Sequence, residues 1–205
     1  MLFPTTYSSK ELDAVNQILG SVGQAPVTVL EETNPEVALA YTTLIEVSKE
    51  VQAEGWVFNV EYNYPLKPDS TGQIKIPSNA LQVDLAKDYE QIQYDTIWRD
   101  GKLYDKIRHS YDWEDKEYRA DVMWYFNFED LPQVFRAYIT ARAAAICSQR
   151  LVGDGNLFQG LSMREAQARA FCIEYECNQG DYSMFGFPRG EDYYTSYQPY
   201  HTLRR

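Results

Sequence analysis

Residues 52–66, QAEGWVFNVEYNYPL, change period in mid-stride. Upstream, Val37, Tyr41, Leu44, Ser48 and Val51 recur at three-and-four spacing. After Gly55 the large apolar side chains fall on every second residue, Trp56, Phe58, Val60, Tyr62 and Tyr64, with Asn59, Glu61 and Asn63 between them. The first period is that of a helix buried along one face, the second that of a half-buried strand. The stretch therefore reads as the border between a helical scaffold and an inserted β-rich domain, with a strand expected from Trp56 onward.

Working outward, the upstream helix begins where Asn34 can cap and Pro35 fits the first helical position, and it runs to Gly55. A shorter helix is expected from Ser9 to Gly20, carrying Leu12, Val15 and Leu19. Downstream, residues 56–126 break into short aromatic or β-branched runs: QIKIPS, ALQVDLA, YEQIQYDTIW, KLYDKIRHSYDW and YRADVMWYF. Asp100-Gly101 supplies the positive φ angles of a tight hairpin, and Pro68–Gly72 is a second turn. Five or six strands in this space predict a small sandwich or open barrel.

Helical character returns in FEDLPQVFRAYITARAAAICSQRLVG, where Asp130 can cap, Pro132 fits the first turn and Gly153 closes the element. Ser162-Met163-Arg164-Glu165 is a capping-box pattern that predicts a last helix with Met163, Ala166, Ala170, Ile173 and Cys177 on its buried face. From Gln179 the chain is rich in Tyr, Phe, Gly and Pro without a sustained period. The expected fold class is α+β. Two N-terminal and two C-terminal helices (residues 1–55 and 127–178) form a bundle scaffold, an antiparallel β-rich domain (56–126) is inserted, and an irregular aromatic tail (179–205) follows.

Composition narrows the function classes. With 44% hydrophobic and 24% charged residues the chain is of ordinary globular make-up, and no run reaches the roughly 18 apolar residues of a membrane helix. The start, MLFPTTYSSKELDAV, has neither the basic nor the apolar stretch of a secretory signal, so synthesis and folding in the cytosol are expected. Cys147, Cys172 and Cys177 show no zinc-motif spacing and read as reduced structural thiols. The net charge of −11 is concentrated at the front, where residues 1–60 hold eight acids against two lysines. Such a balance argues against a sequence-reading nucleic-acid binder and does not exclude a protein that surrounds DNA without gripping it.

No Walker loop, GxGxxG, GxSxG or HExxH pattern is present, and the two histidines, His109 and His201, sit in a charged sheet loop and five residues from the end. No catalytic, cofactor or metal residues are assigned, and the chain reads as a non-enzyme. The arginines say more. Residues 126–178 carry Arg136, Arg142, Arg150, Arg164 and Arg169 and no lysine, opposite helices rich in acids such as Glu46 and Glu50. Arginine suits fixed, bidentate pairing with carboxylates. The pairs form either within one subunit or between neighbouring copies, where a heterologous contact can close a ring. Tyr193, Tyr194, Tyr197, Tyr200, Arg204 and Arg205 make the tail a candidate arm: it either folds back on its own subunit or orders on a partner.

Taken together, LDAVNQILGSVGQAPVTVLEE, VQAEGWVFNVEY, EDLPQVFRAYITARAA and ARAFCIEYECNQGDYSMF resemble the tail tubular protein A family of short-tailed bacteriophages, also described as tail adaptors or head-to-tail connectors. The resemblance implies a structural virion protein. Its members form a dodecameric ring beneath the portal protein, attach the nozzle (tail tubular protein B) below, help anchor tail fibres and let DNA pass through the lumen. No catalytic residue carries over. The competing expectation is a carbohydrate-binding or glycan-degrading tail component, in which Trp98, Trp113 and Trp124 stack on sugars.

Overall fold

Helix boundaries follow the local capping chemistry. Asn34 Oδ1 accepts from the backbone amides of Glu36 (3.0 Å) and Val37 (3.5 Å), and with Pro35 it opens α2 (Pro35–Gln52). Ser9 Oγ accepts from Leu12 and opens α1 (Lys10–Ser21). The computed structural model describes residues 9–31, 33–86 and 94–180, and the aromatic tail lies outside them. Four helices and five antiparallel strands occur in the described residues, an α+β fold in the expected order.

The opening stretch departs from its simple reading. Residues 56–59 form a turn, and the first strand, β1, is Val60–Leu66. Trp56 and Phe58 pack against Phe135 of the helical core, with ring centroids 4.9 and 4.5 Å apart, instead of starting a sheet face. Their alternation with Val60 is broken because the chain must first turn. Gly55 has φ 76°, and a Cβ there would lie 2.7 Å from Met123 Cε. Within β1 the register shifts between Glu61 and Tyr64, Asn63 has φ 57°, and Tyr62 is left 44% exposed.

The central strand of the sheet is β5 (Tyr118–Trp124), which buries Tyr118, Ala120, Val122 and Trp124 at period two. It pairs antiparallel with β1 on one side and with β2 (Ala80–Leu85) on the other. β3 (Thr96–Arg99) and β4 (Lys102–Asp105) form the expected hairpin, with Asp100 at φ 51° and Gly101 at φ 71° in its turn. The described strands thus make a three-stranded sheet and a separate two-stranded hairpin, where a small sandwich or open barrel was expected. Leu66, Ile74, Val83, Leu103, Trp113 and Tyr118 draw both into one apolar cluster. Residues 89–93 of the expected strand YEQIQYDTIW lie outside the described residues.

A second cluster lies among the helices, where Ile18, Leu44, Val47, Phe135, Tyr138 and Ile139 are buried. α3 (Gln133–Leu151) is its centre and touches α1, α2 and α4 (Gly155–Gly180). Asp130 does not cap α3. It belongs to a short 3-10 turn (Phe128–Asp130), and Pro132 occupies the cap position without a side-chain bond. Nor does α4 start at Ser162. Asp154 Oδ1 accepts from Asn156 at 2.8 Å, and the helix passes through the capping-box pattern without a break. Met163, Ala166, Ala170, Ile173 and Cys177 consequently face outward, while Cys172 is buried.

Two buried amides join the clusters. Gln52, fully buried, donates from Nε2 to Ser48 Oγ (3.1 Å) and Phe126 O (3.0 Å), while its Oε1 accepts from Phe126 N (2.8 Å). Asn59 donates from Nδ2 to Gln52 O (2.8 Å) and Trp124 O (2.9 Å), and its Oδ1 accepts from Trp56 N (2.8 Å). Every amide hydrogen of both side chains has a partner. Truncating either one strands buried backbone groups, so Gln52→Ala and Asn59→Ala are each expected to cost about 2–4 kcal/mol in urea unfolding. A loss below about 0.5 kcal/mol would refute that role.

Candidate functional site

Helices α2, α3 and α4 converge where the acids of α2 meet the arginines of the C-terminal helices. Arg169 donates to Glu54 (2.9 and 3.1 Å) and to Tyr138 Oη (2.9 Å). Arg142 donates to Glu50 (2.9 Å) and to Tyr138 Oη (3.3 Å), with Glu54 at 3.8 Å. The hydrogen bonds to Glu54 and then Tyr138 raise the Arg169 pKa above its ordinary value despite burial. For Arg142 burial opposes the charge, yet Tyr138, Glu50 and Glu165 together leave its pKa raised. Both guanidiniums are thus held in their charged form over a shared phenol.

The remaining arginines divide sharply. Arg150 donates to Thr43 Oγ1 (3.0 Å) and lies 3.5 Å from Glu46. Arg136 closes the start of α3, donating to Leu131 O (2.8 Å), Glu129 O (3.2 Å) and Gln133 Oε1. Arg164 makes no hydrogen bond or ion pair among the described residues, and it lies at the edge of a groove between α1, α3 and α4. Arg142, Arg150 and Arg169 thus lie against carboxylates of their own subunit, Glu50, Glu46 and Glu54. Tyr193, Tyr194, Tyr197, Tyr200, Arg204 and Arg205 lie outside the described residues.

Several contributors have no obvious sequence signature. Tyr138 accepts from two arginines one turn or one helix away. Glu176 accepts the Val57 amide with both oxygens (3.0 and 3.1 Å), tying α4 to the turn that follows α2. The one legible hint was polar: Ser48 and Gln52, four residues apart, extend the apolar stripe of α2. Elsewhere the surface offers little enclosed space. Among the described residues no three His, Cys, Asp or Glu gather as a metal site, and no helix is long and apolar enough to cross a membrane. Cys147 and Cys172 are buried free thiols, the latter with its pKa pushed up to about 12 by burial, and Cys177 is exposed.

A chain with two joined cores and an exposed apolar helix face has the features of an assembly part. Comparison with known proteins agrees. Residues 12–182 match the family model for tail tubular proteins. The chain is 30% identical over 149 residues to tail tubular protein A of Klebsiella phage KP34, covering 72% of this chain and 76% of that protein. The chain belongs to the tail tubular protein family. It is a structural protein of a bacteriophage tail, as the resemblance implied.

Because the Arg169 network closes within the subunit, Arg169→Glu is expected to destabilise the isolated chain itself. Placing a carboxylate beside Glu54 should lower unfolding free energy by about 1–2 kcal/mol at a concentration too low for association. Unchanged stability in that dilute sample would assign the arginine elsewhere.

Proposed function

We propose that this chain is the adaptor of a short-tailed phage. Copies close into a dodecameric ring between the portal protein and the nozzle, tail tubular protein B, with DNA passing through the lumen and tail fibres anchored at the rim. In this reading residues 1–55 and 127–178 form the helical scaffold that packs around the ring, and 56–126 are the inserted domain directed to neighbouring tail parts. Residues 179–205 form an arm that engages the portal through its tyrosines and terminal arginines. The role is structural, without catalysis, and the ring assembles in the host cytoplasm.

The observation that carries the reading is family membership over residues 12–182. Electrostatics supports it. A subunit of net charge −11, repeated around a channel, repels phosphates and lets DNA slide. Tryptophan burial weighs against a sugar-stacking face: Trp113 and Trp124 are core residues at 6% and 7% exposure, and only Trp98 reaches the surface, at 38%.

Size-exclusion chromatography with light scattering tests the proposal, using the chain alone and then mixed with the portal ring of the same phage. A stoichiometric high-mass complex is expected, and a monomer indifferent to portal would overturn the adaptor reading. Deleting residues 186–205 should abolish portal binding while leaving the far-UV spectrum and unfolding midpoint intact, and undiminished binding would remove the arm from the account.

A further inference from the structure

Helix α4 is packed along one face only. Cys172 points into the helical core, with Ala168 and Tyr175 beside it, while the opposite line carries Met163, Ala166, Ala170, Ile173 and Cys177. These five recur at alternating three and four residues, the 3.5-residue repeat of a helix that packs against another helix. None of that packing is met within the described subunit: Met163 is 61% exposed and Ile173 49%. The only charge on this outward line is Glu174, which makes no hydrogen bond or ion pair among the described residues.

Beside the stripe runs the groove between α1, α3 and α4, with a volume of about 250 Å³. Its floor is Ala137, Ala141 and Ala144, small enough for a second helix to approach closely, and Phe171 stands at its edge 61% exposed. Arg164 is the one charged residue lining it, and it too has no partner among the described residues. The two surfaces carry opposite charge. One is a ridge with an unspent carboxylate, the other a trough with an unspent guanidinium.

We infer that the ridge and the trough are the two halves of one contact between copies of this chain. The outward face of α4 in one subunit seats in the α1–α3–α4 groove of the next, and Glu174 of the first pairs with Arg164 of the second. The inference rests on the ring reading and supplies its subunit contact. A second copy is the occupant because both halves belong to the same chain and carry opposite charge, although the chain as a whole is strongly acidic and copies repel. Since ridge and groove are different surfaces, the contact is heterologous and propagates until a ring closes.

Reciprocal charge exchange in the full-length chain tests this contact, with association followed by light scattering over a concentration series, alone and on the portal ring. Both residues are on the surface, so circular dichroism and unfolding midpoints should match the parent. Arg164→Glu and Glu174→Arg should each weaken self-association by about ten-fold, and the double exchange should restore it to within about three-fold of the parent. Met163→Asp, on the crest of the ridge, should weaken it by at least about ten-fold. Single variants that assemble like the parent, or a double variant no better than the singles, would overturn this contact and leave the ring reading standing. A parent chain that stays monomeric in both settings would overturn the two together.

Discussion

Gln52 and Asn59 hold the point where the chain leaves the helices and the point where it comes back. A side-chain amide is costly to bury unless each of its groups is bonded, and here the bonds run to backbone groups of Gln52, Trp56, Trp124 and Phe126 or to the Ser48 hydroxyl. The outgoing and returning segments are therefore fixed relative to each other by these bonds. Trp56 extends the joint, donating from its indole to Val51 O at 2.7 Å while its ring packs on Phe135. Glu176 brings α4 to the same place through the Val57 amide. Both apolar clusters meet at this joint, and Phe126 packs against each of them.

Much of this was legible in the chain because local chemistry decided it. Asn34-Pro35 opens its helix as the side chains dictate, and Asp100-Gly101 adopts the positive φ angles that pair favours. Where the reading failed, tertiary packing had the last word. Trp56 and Phe58 alternate like strand residues, but the nearest apolar surface is α3, and the strand waits until Val60. Ser162-Met163-Arg164-Glu165 has the right residues for a helix start, yet Asp154 had already opened the helix upstream, and the propensity cost of Gly155 and Gly160 did not prevent it.

The face of α4 is the most instructive of these departures. Periodicity reports that an apolar stripe exists and is silent about what covers it. Met163, Ala166, Ala170, Ile173 and Cys177 read as a core face and are exposed, because Cys172 and Ala168 are the residues that meet α3. Charge shows the converse. The arginines could pair within the subunit or with a neighbour, and within the subunit Arg142, Arg150 and Arg169 meet Glu50, Glu46 and Glu54. The ion pairs tie α2 and the turn after it to α3 and α4, while the outward face of α4 stays exposed.

The account's central claim is that the amide joint makes the helical and β clusters one cooperative unit. Native-state hydrogen exchange of the Trp124 and Phe126 amides, compared with those in the middle of α3, tests it most directly. If the claim holds, all of them exchange through the same global opening, with the same free energy and the same denaturant dependence. Trp124 and Phe126 amides that exchange through a separate, lower-energy opening while α3 stays protected would contradict it.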